Sequence, residues 1–323
     1  MIALIQITPW HWAGFVLLIL FLLALDLGML NRQPSTVSFR QALRWSLFWC
    51  MLAMLFAIAL VHWRGREEAV EFVTGYVIEI SLSMDNVFLI AVIFSYFQVA
   101  PRFQRRVLYL GIIGALVMRG VMIIAGAALI KRFDWTLYLF GAFLVYAGLR
   151  MMTTGDLQVV PEKNIFIRLA RKIFPVTEGE HDEKFIVSIN GRKMLTTLML
   201  VLIMVETTDL LFAVDSVPAV FAVTTKPFIV FTSNVFAILG LRSLYFVLAG
   251  AIGYFRYLKV GLSVVLVFVG GKMLLAPHGG THQWFQVKVS TLVSLLVIAI
   301  ILATAVLFSL LAARRERQAE PKP

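Results

Sequence analysis

Long apolar segments separated by short polar ones run along almost the whole chain. A helix that spans a bilayer needs about 20 consecutive, mainly apolar residues. Runs of this kind lie near 12–30, 42–62, 72–96, 107–130, 134–152, 195–223, 228–250, 257–275 and 287–312. The pattern predicts an all-α integral membrane protein with about nine transmembrane helices.

The composition agrees with this class of protein. Hydrophobic residues make up 60% of the 323 residues and charged residues only 15%, and the mean hydropathy is +0.89. Such values lie outside the range of soluble globular domains. Cys50 is the only cysteine, which excludes an intrachain disulfide and a site built from several thiolates.

The net charge of +11 would suggest a nucleic-acid partner if the protein were soluble. In a membrane protein, Lys and Arg instead collect in the cytoplasmic loops. With the N-terminus outside, nineteen basic residues fall on one side of the membrane, six on the other and four within the spans. We therefore expect a cytoplasmic C-terminus and a lipid bilayer, not nucleic acid, as partner. The sequence does not predict an oligomeric state.

Two parts of the chain resemble each other. SMDNVFLIAVIF at 83–94 aligns with AVDSVPAVFAVT at 213–224, and AGLRMM at 147–152 resembles VGGKML at 269–274. Matched polar positions follow in the same order in both copies. They are Glu79 with Asp209, Asp85 with Asp215, and Arg119 with Arg242.

Each copy contains three predicted spans, helices 3–5 and helices 6–8. An odd number of spans reverses the orientation of the second copy, which predicts an inverted repeat of three helices. Transporters with this architecture place their sites near the midplane between the copies. The predicted divisions are two N-terminal helices at 1–71, the first repeat at 72–152, a cytoplasmic loop at 153–194, the second repeat at 195–275, and the last helix with a basic cytoplasmic tail at 276–323.

Acidic and polar residues lie inside the predicted spans, most densely in VETTDLLFAVDSVPA at 205–219. Ionisable groups at membrane depth are costly and by default mark a substrate or ion path. We expect them to surround a metal cation, with arginines as charge partners. The candidate ligands are Glu79, Asp85, Asn86, Glu206, Asp209, Asp215 and Ser216, and the charge partners are Arg119 and Arg242.

Helix geometry divides these candidates. In each repeat the first acid and the polar residue seven positions later share a helix face, whereas Asp85 and Asp215 point about 120° away. Convergence on one site therefore requires local unwinding. Pro218 offers a cause, because it lacks an N–H group and clashes with the carbonyl of Val214. We expect a broken helix there, with that carbonyl as a further ligand.

The candidate ligands are rich in oxygen and include neither histidine nor cysteine. Such a set favours hard divalent cations such as Mg²⁺, Ca²⁺ or Mn²⁺ over Cu⁺ and Zn²⁺. The simpler interpretation is a set of internal salt bridges that only hold helices together. Two arginines cannot neutralise five carboxylates, however. Some acids should be protonated when the site is empty, which provides a route to proton coupling.

Three segments, IEISLSMDNVF, VETTDLLFAVDSVPAVFAVT and FIVFTSNVFAILGLRSLYF, make the sequence similar to the TerC family of bacterial inner-membrane proteins, within a larger LysE-like group of exporters. The resemblance covers nearly the whole chain. It implies export of Mn²⁺ from the cytoplasm through the candidate positions above, whereas the residues alone indicate only a divalent-cation transporter. Other members are linked to tellurium resistance or, in plastids, to membrane-protein insertion.

Two function classes follow from these observations. The first is a metal exporter driven by protons or by the membrane potential. The second is a membrane scaffold or insertase-like partner whose buried charges specify helix packing. An amino-acid exporter, by analogy with the LysE-like group, is disfavoured by the surplus of acids. The sequence contains no nucleophile–base pair and no cofactor motif, so we expect neither enzyme activity nor a cofactor.

Overall fold

The structure is a computed structural model that describes residues 8–30, 39–133, 135–153, 164–177, 184–189, 191–249, 257–277, 286–287 and 289–319. These residues form ten α-helices and one two-stranded antiparallel sheet. The helices are α1 (Pro9–Leu30), α2 (Phe39–Arg64), α3 (Arg66–Tyr96), α4 (Pro101–Arg132), α5 (Thr136–Thr153), α6 (Ile165–Ile173), α7 (Thr197–Phe221), α8 (Pro227–Ala249), α9 (Leu258–Leu275) and α10 (Thr291–Ala319). The strands are β1 (Ile186–Ile189) and β2 (Arg192–Leu195).

The architecture confirms the prediction of an all-α, multi-pass membrane protein. In the described ranges, eight helices are long and apolar enough to cross a membrane, and α1 contributes a shorter apolar stretch. These nine helices correspond to the nine predicted spans. The boundaries differ by six or seven residues at three places: α3 begins at Arg66 where 72 was expected, α4 begins at Pro101 where 107 was expected, and α10 ends at Ala319 where 312 was expected.

Close contacts between α5 and α9 reveal how the two repeats are related. A Cβ atom built on Gly148 would lie 2.8 Å from the carbonyl oxygen of Ser263, and one on Gly270 would lie 2.7 Å from that of Gly141. As α5 advances from Gly141 to Gly148, the facing position on α9 goes back from Gly270 to Ser263. The two helices therefore run antiparallel.

The same four positions are also exchanged by the repeat. The alignment of 147–152 with 269–274 superimposes Gly148 on Gly270, and the same offset superimposes Gly141 on Ser263. Each close contact is thus the counterpart of the other. A twofold relation between antiparallel helices has its axis across the helices, as an inverted repeat requires.

The remaining helix pairs follow this exchange. The repeat relates α3 to α7 and α4 to α8. α3 packs on α8, and correspondingly α7 packs on α4. α3 also contacts α7, and α4 also contacts α8. The other helices lie outside this arrangement: α2 packs on α3 and α8, α10 packs on α3 and α9, and α1 places Phe15 against Phe228 of α8.

The predicted loop at 153–194 contains structure of its own. α6 packs against α7, and the two strands form a hairpin in which Ile186 pairs with Leu195 and Ile189 with Arg192. Gly191 has a φ of +75°, a left-handed conformation that glycine adopts without steric cost, and this agrees with the turn signal NGR in the sequence. Residue 190 lies outside the described residues.

Candidate metal-ion site

Arg119 of α4 lies at the centre of a buried ion-pair network between the two repeats. Its Nη1 is 2.7 Å from Oε2 of Glu79 on α3, and its Nη2 is 3.2 Å from Oδ1 of Asp209 on α7. Its Nε also donates to Asp209 Oδ2 at 3.3 Å. Arg119 is 2% exposed and Glu79 is fully buried. One guanidinium therefore neutralises half of the charge of two carboxylates.

Polar residues seven positions after each acid complete the network. The Asn86 amide donates to Asp209 Oδ1 at 3.2 Å, and Arg119 Nη1 lies 3.3 Å from the hydroxyl oxygen of Ser216 while it binds Glu79. Asn86 of α3 is thus level with Asp209 of α7, and Glu79 is level with Ser216. The exchange of the two repeats interchanges these two pairs, so the candidate site lies on the pseudo-twofold axis.

A third helix also contributes. The side-chain amide of Asn234 on α8 donates a hydrogen bond to Glu79 Oε1. This residue was not among the predicted ligands, although it lies inside the FIVFTSNVFAILGLRSLYF segment. Its position in an apolar span is the signal that could have found it, because a buried amide needs a hydrogen-bonding partner.

Small residues bring the helices close enough for these contacts. Gly75 lies one turn before Glu79 on α3, and a Cβ atom there would be 2.8 Å from the hydroxyl oxygen of Ser233 on α8. Gly111 of α4 lies two turns before Arg119, and its Cβ would be 3.3 Å from Val205 of α7. Larger side chains would separate α3 from α8 and α4 from α7.

Among the described residues, two buried oxygen atoms in this region lack hydrogen-bond partners. They are the Oδ1 atom of Asn86, which is 3% exposed, and the hydroxyl oxygen of Ser83, which is 1% exposed and lies one turn before Asn86. A buried polar atom without a partner costs about 1–3 kcal/mol. Both oxygens could act as ligands of a cation, because amide and hydroxyl oxygens suit hard ions.

The sequence motifs and the site together identify the family. Residues 64–317, more than half of the chain, match the profile of the integral membrane protein TerC family. The chain belongs to the TerC family. The matched region contains every residue of the Arg119 network and both repeats. α1 and most of α2 precede it.

Relatives within the TerC family are similar over most of the chain. "Uncharacterized membrane protein STKORF319" of Myxococcus xanthus is 47% identical over 95% of this chain and 94% of its own length. A protein named "Putative membrane-bound redox modulator Alx" in Salmonella typhi is 45% identical over 92% of this chain and 94% of its own length. The protein of the same name in Escherichia coli K12 is 48% identical over 83% of this chain and 86% of its own length. No solved structure matches the chain significantly.

Not all predicted site residues of this TerC-family chain join the network. Asp85 lies one residue before Asn86 on α3, and Asp215 lies one residue before Ser216 on α7. Each aspartate therefore points about 100° away from that neighbour around the helix axis. Their electrostatic partners are Lys259 of α9 and Arg150 of α5, respectively. Asp85 thus interacts with α9 and Asp215 with α5.

Glu206 and Arg242 take further separate positions. The carboxylate of Glu206 rests against the backbone of Gly114 on α4 and interacts electrostatically with Asp209, one turn further along α7. Arg242 is buried on α8 with 7% of its surface exposed. Its counterpart Arg119 is the arginine that binds the acids of both repeats.

The expected unwinding at Pro218 was wrong. α7 is helical without interruption from Thr197 to Phe221, with Pro218 in its last turn. Within the described parts of the chain, no three His, Cys, Asp or Glu side chains converge as a metal-binding group. The structure thus contains an ion-pair network at this position. The seven residues as ligands of one metal ion stay a prediction, and binding would require the carboxylates to rearrange around the cation.

A second acidic cluster lies at the opposite end of α3 from Asn86. Lys226 Nζ is 3.1 Å from Glu71 Oε2 and 3.4 Å from Glu68 Oε1, and the Thr224 hydroxyl donates to Glu71 Oε2 at 2.8 Å. Arg64 binds Glu68 at 2.7 Å. These acids were not among the predicted site residues, because the predicted span began at residue 72, after both of them. Glu68 lies eleven residues, about three helical turns, before Glu79 and so shares its face of α3, whereas Glu71 points about 80° away from Glu79.

Proposed function

We propose that this chain exports a divalent metal cation, Mn²⁺ in particular, from the cytoplasm across the bacterial inner membrane. The observation that carries the proposal is the binding of Glu79 and Asp209, one acid from each repeat, to a single buried arginine. A cation already occupies the place between the repeats where an inverted-repeat transporter would bind its substrate. That cation is the guanidinium of Arg119.

The chemistry of the network supports a hard metal ion as substrate. Its acceptors are carboxylate, amide and hydroxyl oxygens, which suit Mg²⁺, Ca²⁺ and Mn²⁺. Glu79 and Asp209 carry one negative charge more than Arg119 neutralises, and the nearby Glu206 adds another. A divalent ion that displaces the guanidinium would find two carboxylates and the oxygens of Asn86 and Ser216. The choice of Mn²⁺ among these ions rests on the resemblance to the family.

Competition between metal and arginine provides a mechanism for transport. The metal favours whichever conformation moves the Arg119 side chain away from the acids, and the guanidinium rebinds them after the metal leaves. A ligand shifts a conformational equilibrium only through such a difference in affinity between two states. Proton transfer to the carboxylates during the return step would couple export to the pH gradient.

The competing function is a membrane scaffold or insertase-like partner. The observation that favours it is the pairing of Arg119 with both acids, since a buried salt bridge can specify helix packing without moving anything. A redox role is stated in the name of the Alx relatives. In this chain Cys50 is the only cysteine, so a dithiol–disulfide couple within one molecule is excluded.

Mn²⁺ flux in proteoliposomes tests the proposal. We expect flux that depends on the pH gradient in the wild type and falls at least tenfold in Glu79→Gln and Asp209→Asn. Glu67→Gln is the matched control, because Glu67 is an exposed acid at the start of the same helix as Glu79. Wild-type flux in both folded variants would exclude these acids as the site. Absence of flux from the wild type, with altered abundance of other membrane proteins in a deletion strain, would favour the scaffold.

A further inference from the structure

Within the part of the chain that the structure describes, the short helix α6 packs on the protein through only part of its apolar surface. Ile167 is fully buried in a hydrophobic cluster with residues of α3, α4, α7 and α8, and α6 itself packs on α7. Other apolar side chains of the helix and its C-cap are exposed, and basic residues occupy the remaining arc. The exposed apolar residues are Ile165, Phe166, Leu169, Ile173 and Phe174, at 70, 47, 53, 61 and 44%, and the basic ones are Arg168, Arg171 and Lys172.

The contacts of α6 fix its position along α7. At its N-terminus, the Asn164 amide lies 3.2 Å from the sulfur of Met204, which is seven residues into α7 and thus about 10 Å along that helix. Beyond its C-terminus, the carbonyl of Pro175 accepts from the Leu195 amide, just before α7 begins. α6 therefore lies alongside the first turns of α7.

α7 is long enough to hold α6 at the interfacial depth of a bilayer. α7 has 25 residues and is about 37 Å long, whereas the hydrocarbon core is about 30 Å thick. The excess length places an end of α7 among the headgroups. A helix of nine residues is marginal alone, so α6 depends on its Asn164 cap and on Ile167 to stay there.

We propose that α6 is an interfacial helix that binds an anionic membrane surface. Its exposed apolar residues enter the boundary between headgroups and acyl chains, and Arg168, Arg171 and Lys172 contact anionic headgroups. Helices with this division between apolar and basic residues lie in the plane of the interface. Each basic residue near an anionic surface strengthens association roughly fivefold, so three together contribute on the order of a hundredfold.

Solvent accessibility of a spin label tests this proposal without reference to transport. A nitroxide is attached to the full-length protein through Leu169→Cys in a Cys50→Ser background. Its collisions with oxygen and with a water-soluble nickel complex are measured in vesicles of phosphatidylcholine alone or with about one-third phosphatidylglycerol. We expect the anionic lipid to lower collisions with nickel severalfold and to raise those with oxygen.

Two charge variants make the test specific. Arg168→Gln, Arg171→Gln and Lys172→Gln combined should abolish the dependence on phosphatidylglycerol, whereas Arg192→Gln with Lys193→Gln, in the neighbouring hairpin, should preserve it. Equal exposure to nickel in both vesicles would overturn the proposal. The proposal would also be overturned if the label were equally shielded from nickel in both vesicles and lost this shielding on neutralisation of Glu178, Glu180, Asp182 and Glu183. The acidic run at 178–183 would then be the occupant of this face.

Discussion

Glu79 and Asp209 occupy equivalent positions in the two repeats, and both carboxylates bind the guanidinium of Arg119. The symmetric acids thus share one asymmetric partner, since Arg119 comes from the first repeat only. A metal ion on the pseudo-twofold axis could contact both acids equally, whereas a single arginine approaches from one side. A metal ion there would therefore compete with the guanidinium for the same two carboxylates.

Replacing Arg119 by Gln should make the stability of the protein depend strongly on metal. Removing one partner of a buried ion pair costs about 3–5 kcal/mol, because the remaining charge is left uncompensated. We expect a lower thermal midpoint for Arg119→Gln in detergent without metal, and a larger rise with Mn²⁺ than in the wild type, where metal must displace the guanidinium. Lys131→Gln, an exposed change at the end of α4, serves as control. Equal Mn²⁺ responses in all three proteins would contradict this competition.

Asp85→Asn and Asp215→Asn should lower Mn²⁺ export while leaving the Arg119 network intact. Asp85 interacts electrostatically with Lys259 of α9, and Asp215 interacts with Arg150 of α5. We therefore expect thermal midpoints near that of the wild type, unlike Glu79→Gln, and a decrease in flux of at least tenfold. Flux and thermal midpoint are measured on the same preparations. Undiminished flux in both variants would remove these aspartates from the transport path.

The repeat could be predicted from sequence because polar landmarks stand out in apolar spans. Asp85 and Asp215, or Arg119 and Arg242, are recognisable without a structure, and an odd number of spans between them fixes their relative orientation. The start of α3 was harder to predict. Arg66, Glu67 and Glu68 read as a loop, yet they extend the helix beyond the apolar run, and Lys226 from a distant segment neutralises the acids there.

The geometry of the site could be predicted only in part. The sharing of a helix face by Glu79 and Asn86 follows from helical periodicity. The expected break at Pro218 does not occur. This proline lies in the last turn of α7, where it frees a single carbonyl, and the helix tolerates the loss of one hydrogen bond there. Sequence symmetry also cannot reveal which of two equivalent arginines binds the acids of both repeats.

Gly114→Ala should impair transport through Glu206. An added Cβ atom would overlap the carboxylate of Glu206, which must then turn away from its position near Asp209. A flexible side chain can move at little cost, so we expect a folded protein whose Mn²⁺ flux falls severalfold, as in Glu206→Gln. Gly120→Ala on the same helix is the control, since its Cβ would meet Phe231 at an ordinary 3.5 Å. Equal flux in both alanine variants would show that Glu206 need not occupy this position.

The inverted repeat itself predicts paired effects at Gly148 and Gly270. An added methyl group would approach the opposite backbone to 2.8 Å at Gly148 and 2.7 Å at Gly270, and backbone cannot move aside as a side-chain tip can. Overpacking of this kind typically costs about 1–3 kcal/mol. We expect Gly148→Ala and Gly270→Ala to lower the thermal midpoint by similar amounts, because the two positions are related by the pseudo-twofold axis.

Gly271 provides a control on the same helix. No atom lies within 4 Å of a Cβ built there, so alanine adds no clash and gains the higher helix propensity, worth about 1 kcal/mol relative to glycine. Gly271→Ala should therefore leave the thermal midpoint unchanged or raise it. If Gly148→Ala and Gly270→Ala also left it unchanged, α5 and α9 could not be in backbone contact. A loss at only one of the two would show that the contact lacks the twofold relation on which the position of the Arg119 network depends.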